Sequence, residues 1–238
     1  MIVCLDSGNT RVKWGVHDGT AWLAQGAVAQ ADIAQLAGLP GKWPRPDKVM
    51  LANVAGPQVA SRLAEQLAPW RPCLQEIRPS ARAGGVSNCY RSPERLGVDR
   101  WCALVGARAL HAGAALVVMA GTATTIDTLA ADGCFAGGDI LPGIGLMRRS
   151  LAQGTAALPL AAGGYDPLPR CTEDAIVSGI LEAQAGAVER VFTRLAGPDR
   201  ICLISGGHAG EIAEHLSIPF RLVPNLPLEG LRQLAAGA

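Results

Sequence analysis

A chain of 238 residues, 49% apolar and 17% charged, has enough apolar surface to fold around a core, which excludes an intrinsically disordered polypeptide. Its 21 Lys and Arg against 20 Asp and Glu leave a net charge of +1, so it carries no polyanion-binding excess and nucleic acid is not an expected partner. No apolar run reaches the ~18 residues of a membrane span, and the opening Met1-Ile2-Val3-Cys4-Leu5-Asp6 meets a carboxylate without any basic segment. The expectation is a cytoplasmic protein with no secretory leader and no membrane partner.

The first apolar run, 1–5, predicts a strand that ends in the turn Asp6-Ser7-Gly8-Asn9-Thr10. Residues 11–16 alternate as a second strand, Asp18-Gly19 supplies a hairpin turn, and 20–26 form a third strand. Pro and Gly gather at 38–46, a predicted loop, and the Ala/Leu-rich 95–112 predicts a helix. The hairpin pattern then repeats. A strand at 114–119 leads to the turn Ala120-Gly121-Thr122-Ala123, a strand at 124–129, the turn Asp132-Gly133 and a strand at 134–140. The two glycines are 11 residues apart in the first copy (8 to 19) and 12 in the second (121 to 133). A loop at 159–169, a helix at 173–195 and a strand-to-helix junction, 201–205 then Gly206-Gly207 and 208–216, complete the chain. Two α/β halves are therefore expected, 1–112 and 113–238, with a ligand cleft between them.

Seven cysteines, at 4, 73, 89, 102, 134, 171 and 202, include no C-x-x-C pair and sit mostly in apolar runs. Buried reduced thiols are expected rather than a zinc site or a disulfide framework. The histidines, at 17, 111, 208 and 215, have no metal-ligand spacing, and only His208, after the Gly-Gly turn, draws notice. There is no G-x-x-x-x-G-K-[ST] loop, and Gly143-Ile144-Gly145 lacks the third glycine of a dinucleotide fingerprint.

A strand ending in Asp before a Gly/Asn/Thr turn offers backbone N–H groups to an anion and a carboxylate to a metal ion, so 6–10 reads as a phosphate and Mg²⁺ cradle. The competing reading is an ordinary hairpin turn, which a second copy of the same form at 120–125 weakens. At Leu96-Gly97-Val98-Asp99-Arg100, a helix N-terminus and Arg100 suit an anionic substrate while Asp99 can accept a hydroxyl proton. The alternative there is a helix cap by Asp99 with Arg100 solvated.

Taken in order, these motifs resemble the type III pantothenate kinases, which include proteins first named Bvg accessory factors and belong to the acetate and sugar kinase/Hsp70/actin superfamily. The resemblance runs through Asp6-Ser7-Gly8-Asn9-Thr10-Arg11-Val12-Lys13, Tyr90, Gly97-Val98-Asp99-Arg100 and Gly121-Thr122-Ala123-Thr124-Thr125-Ile126-Asp127. It continues through Gly137-Gly138-Asp139-Ile140-Leu141-Pro142-Gly143, Thr155-Ala156-Ala157-Leu158-Pro159, Thr172 and Ser205-Gly206-Gly207. It implies a mixed α/β fold of duplicated actin-like (ribonuclease H-like) ATPase domains around a nucleotide cleft. The first phosphate motif would lie in 1–112, and the second phosphate motif and an adenosine motif in 113–238. It further implies a homodimer that transfers phosphate from Mg·ATP to pantothenate. In this pattern Asp6, Ser7, Gly8, Asn9, Thr10, Arg11, Val12 and Lys13 line the ATP phosphates, with Asp6 placing Mg²⁺, and Thr122 contacts phosphate from the second hairpin. Asp99 is the general base, and Tyr90, Gly97, Val98, Arg100 and Thr172 surround pantothenate. The family pattern has Asp two residues before the Gly-Thr-Ala turn as ligand for K⁺ or NH₄⁺, whereas this chain has Met119. A thioether is a poor ligand for a hard cation, so the metal ligands are left unassigned. A kinase of another small hydroxylated substrate and a non-catalytic regulatory protein of the same fold stand as alternatives.

Overall fold

β1 (Ile2–Ser7) is buried along nearly its whole length, as its apolar run demands at the centre of a sheet covered on both faces. The computed structural model describes residues 1–237. β2 (Arg11–His17) pairs antiparallel with β1, and β3 (Trp22–Ala29) with β2. The Asp18 carboxylate accepts the Thr20 and Ala21 N–H groups while Gly19 takes a φ of 114°, so the Asp-Gly turn closes on its own side chain. Glycine inside these strands makes room for tryptophan: a Cβ on Gly15 would collide with the Trp22 ring, and one on Gly26 with the Trp14 ring.

The predicted loop at 38–46 contains a helical turn, α1 (Leu39–Lys42). β4 (Lys48–Asn53) then pairs parallel with β1, α2 (Pro57–Gln66) follows, and β5 (Leu74–Glu76) pairs parallel with β4. The sheet order is β3-β2-β1-β4-β5. Alternation along β1 sends Val3 and Leu5 into a core with Val12, Leu36, Leu63 and Trp70. On the other face Cys4 joins Met50, Val98, Cys102, Leu228 and Leu231. After the short hairpin of β6 (Arg82–Ala83) and β7 (Val86–Asn88) comes α3 (Val98–Leu110). That helix starts three residues later than predicted, because Pro93–Arg95 forms a separate 3₁₀ turn and Gly97 is the N-cap.

The chain groups into two units, the first being 1–112 with 133–135 and 225–238, and the second 113–132 with 136–224. In the second, β8 (Ala115–Ala120) pairs antiparallel with β9 (Ala123–Leu129). β10 (Cys134–Pro142) follows, and its first two residues pair parallel with Ser87 and Asn88 of β7 in the first unit's group. Next come α4 (Ile144–Gly154), α5 (Thr172–Phe192), β11 (Ile201–Ser205), α6 (Ala209–Ala213) and β12 (Phe220–Leu222). β11 is parallel to β8 and β12 to β11, giving the order β12-β11-β8-β9-β10. Each unit therefore carries hairpin strands on one side of its first strand and two parallel strands on the other. The second core is built from Leu116, Val118, Ile126, Ile180, Val188 and Ile204.

α7 (Leu226–Ala235) groups with the first unit, which a division at 112/113 in chain order does not anticipate. It lies so close to α3 that a Cβ on Gly230 would enter the Cys102 carbonyl and one on Gly106 the Leu226 carbonyl. No helix among the described residues is long and apolar enough to cross a membrane.

Candidate active site

Asp6 is the next-to-last residue of β1, only 7% exposed, and stands opposite Lys13 in the β1–β2 ladder. Burial pushes its carboxyl up to about 6, Lys13 pulls it down, and the charge of Asp99 raises it further. The turn beyond it closes with the Gly8 N–H donating to the Arg11 carbonyl at 3.0 Å. Asn9, Thr10 and Arg11 are exposed, whereas Ser7 is fully buried and Val12 lies wholly in the core, so the Val12 side chain packs rather than faces a ligand. A carboxylate held at about 6 beside a second carboxylate would be relieved by a divalent cation, and Asp6 thus fits the role of Mg²⁺ ligand.

Asp99 occupies the first turn of α3, where backbone N–H groups favour an anion. Its Oδ1 accepts the N–H of Arg100 at 2.8 Å. The cap reading fails, because the N-cap is Gly97 and Arg100 is buried, only 5% exposed. Gly97 is needed below the carboxylate, since a Cβ there would come within 2.6 Å of Asp99 Oδ1. The Arg100 guanidinium donates to the Tyr90 hydroxyl at 2.9 Å and lies 5.6 Å from the Tyr90 ring centroid and 5.8 Å from that of Phe135. Those two rings are 5.1 Å apart. Val98, also predicted to meet substrate, is buried at the start of the helix.

Cys89 and Cys134, the neighbours of Tyr90 and Phe135, form a disulfide. This corrects the expectation of seven reduced thiols. The two residues lie 45 positions apart and meet only through the pairing of β7 with β10, which no local spacing announces. Cys4, Cys102 and Cys202 are buried and free as expected, with burial pushing the Cys202 thiol up to about 12, but Cys171 is exposed.

In the second unit the turn 120–123 closes with the Gly121 N–H donating to the Ala123 carbonyl at 3.0 Å. Two other glycine junctions grip it. Gly143, the N-cap of α4, donates to the Thr122 carbonyl at 3.0 Å, and the Gly206 backbone, with φ of 117°, lies against Ala120. The His208 N–H donates to the Ala120 carbonyl at 3.2 Å, and its ring meets Glu211 at 2.7 Å. Thr122 is exposed at the tip. Thr172, first residue of α5, is exposed beside an apolar groove of about 390 Å³ that Met147, Leu151 and Ile176 help to line. The other histidines are structural: His17 packs edge-on against Trp22, His215 stacks on Tyr165, and His111 is the C-cap of α3.

A profile of the type III pantothenate kinases matches residues 2–194. The chain belongs to that family. A type III pantothenate kinase of Dechloromonas aromatica is 66% identical over 235 residues, covering 99% of both chains, and one of Aromatoleum aromaticum is 52% identical over 99% of this chain and 98% of its own. Among solved structures, a conserved Campylobacter jejuni protein named for the Baf family of transcriptional activators superposes with a TM-score of 0.66 at 18% identity, covering 99% and 98%. The activator of 2-hydroxyisocaproyl-CoA dehydratase from Clostridium difficile does so with a TM-score of 0.56 at 11% identity, covering 98% and 93%. At such identities these likenesses show the fold alone, that of the actin-like ATPases and sugar kinases.

For a kinase of this family the monovalent-cation position does not fit. Met119 is half-buried opposite Thr125, and the nearby Asp127 is wholly buried, with its Oδ1 against Gly138 so closely that no Cβ could fit there. Among the described residues no group of three His, Cys, Asp or Glu side chains could hold a metal ion. Sequence reading missed Phe135, which meets Arg100 only through the register of β10 on β7 and not through a motif.

Proposed function

We propose that this kinase transfers the γ-phosphoryl group of ATP to the primary hydroxyl of pantothenate, giving 4′-phosphopantothenate and ADP, the first step of coenzyme A synthesis. The observation that carries the reading is the pair of carboxylates in the first unit, one at the end of β1 and one in the first turn of α3, with a buried Arg100 beside the second. The substrate oxygen attacks the γ-phosphorus, the bond to the β–γ bridging oxygen breaks, and the hydroxyl proton passes to Asp99. Arg100, its guanidinium held by Tyr90 and Phe135, offers charge-assisted hydrogen bonds to the substrate carboxylate. Gly97, Val98 and Thr172 are read as further substrate contacts.

The 6–13 segment is read as the seat of the ATP phosphates, and Thr122 as a further phosphate contact. Asp6 would hold Mg²⁺, which when bound neutralises charge on the β- and γ-phosphates. No step passes through a monovalent cation, because Met119 does not suit one. The protein is read as a cytoplasmic homodimer. Incubation of the purified protein with Mg·ATP and pantothenate, followed by mass spectrometry, should reveal 4′-phosphopantothenate. Absence of that product under any K⁺ or NH₄⁺ concentration overturns the reading, and ATP turnover with a different acceptor would replace it with a kinase of another small alcohol.

A further inference from the structure

The first phosphate turn is held from outside by one side chain to which no motif points. Gln30 follows the last residue of β3, and its N–H donates to the Thr10 carbonyl at 3.0 Å, extending the β2–β3 ladder into the turn. Its side-chain Nε2 then donates to the Gly8 carbonyl at 2.6 Å and to the Ser7 hydroxyl oxygen at 3.1 Å. The amide orientation follows from chemistry, since a carbonyl can only accept and Nε2 must therefore face Gly8. The Oε1 of the same amide is buried without a partner, so the donors are satisfied at the cost of the acceptor. One residue thereby fixes three points of the turn, 7, 8 and 10.

We infer that Gln30 is a positioning residue for nucleotide binding. An anion binds to a turn that presents N–H groups and repels one that presents carbonyl oxygens. By engaging the Gly8 carbonyl, the Gln30 side chain keeps that oxygen from turning toward a phosphate. By holding the Ser7 hydroxyl it also fixes the residue next to Asp6. Gln30 touches no substrate in this scheme, and it acts on ATP affinity alone. The inference rests on the reading of 6–13 as the ATP phosphate cradle.

The test uses Gln30→Met, which keeps length and removes the donor, and Gln30→Glu, which keeps shape and replaces the donor by an anion. Binding of Mg²⁺ with a non-hydrolysable ATP analogue is measured by calorimetry, alongside KM for each substrate, kcat and thermal midpoint. Loss of two neutral hydrogen bonds should weaken the analogue about 10-fold or more in Gln30→Met. Gln30→Glu should be weaker still, and more so at low ionic strength. In both, KM for pantothenate should stay near the wild-type value, while the thermal midpoint falls by a few degrees, more in Gln30→Glu, without loss of folding. Analogue affinity within twofold of wild type in both variants overturns the inference. Equal weakening of both substrates, or loss of folding in both, marks a merely structural residue and also overturns it. Wild-type protein that binds no analogue instead removes the phosphate-cradle reading beneath it.

Discussion

The two hairpin turns are the same construction, one charged and the other neutral. Asp6-Ser7-Gly8 at the end of β1 corresponds to Met119-Ala120-Gly121 at the end of β8, each triplet closing with the glycine that opens the turn. Across the ladder the partner of Asp6 is Lys13, whereas the partner of Met119 is Thr125. The first turn thus concentrates charged side chains, Asp6 and Lys13, with Asp99 near enough to act on Asp6. The second holds its shape with glycines 121, 143 and 206 packed against backbone. In the proposed function, this difference would put metal and proton chemistry in one copy and uncharged phosphate contact in the other. The comparison can be broken at either turn.

The largest effect is expected at Asp99. Asp99→Asn keeps the shape and the bond to the Arg100 N–H region but removes the base, which should lower kcat 10²–10⁴-fold, about 3–5 kcal/mol of transition-state stabilisation. ATP affinity should be unchanged, because the proposed function assigns the phosphates to the turns. An Asp99→Asn enzyme within a few-fold of wild-type turnover would end the proton-acceptor role.

Asp6 is the next in size, and its effect has a sign that can be worked out. Its folded value, about 6, lies above the ordinary 3.8. A raised value means stability that is fully present below the unfolded pKa and lost as pH rises through the folded one, here between about pH 4 and pH 6. At pH 7.5 the ionised Asp6 therefore costs up to ~3 kcal/mol. Asp6→Asn should be more heat-stable than wild type at pH 7.5, on the order of 5–10 °C, and indistinguishable near pH 4. It should at the same time lose Mg·ATP affinity and turnover. A thermal midpoint for Asp6→Asn at or below wild type across this range would show that the carboxylate is not a strained functional group.

These residues also mark how far local sequence carries. Asp6–Thr10, Asp18-Gly19 and Gly121-Thr122 were legible because a strand end and a turn residue are neighbours in the chain, and period-two alternation places the rest. The helices that carry Gly97 and Thr172 were legible too, although their boundaries moved by one to three residues. The Arg100 clamp was not legible. Phe135 reaches it only because two residues of β10 pair with β7, and the same pairing joins Cys89 to Cys134. Gln30 is likewise invisible until the β2–β3 register sets it beside Thr10. α7 returns to the first unit through glycine contacts with α3 that composition does not encode. Such pairings are fixed by tertiary packing, so a spacing rule cannot find them.

Met119→Asp tests the neutral copy directly. A carboxylate placed there meets Thr125 and Ser205 across its ladders and no lysine, so it should lower the thermal midpoint by a few degrees at pH 7.5. Added K⁺ or NH₄⁺ at constant ionic strength should restore the loss and stimulate turnover, while leaving wild type little affected. Strong stimulation of the wild type would show that other groups build a cation site in this copy.

The smallest effect separates the two substrates within the charged copy. Tyr90→Phe deletes the hydroxyl that accepts from Arg100 at 2.9 Å and leaves the ring beneath the guanidinium. Tyr90 is only half-buried, so water can replace the lost acceptor. The expected loss is therefore below the ~1.5–3 kcal/mol of a fully desolvated charged hydrogen bond, and KM for pantothenate should rise about 3- to 10-fold. Phe135→Leu removes one face of the cation–π contact, worth ~1–2 kcal/mol in a buried setting, and should raise the same KM comparably. Neither variant should move KM for ATP, because both act through Arg100 and not through the phosphate turn. A rise in KM for ATP that matches the rise for pantothenate would mean that Arg100 serves the nucleotide. The division of labour within the first unit would then have to be redrawn, with the substrate carboxylate assigned elsewhere.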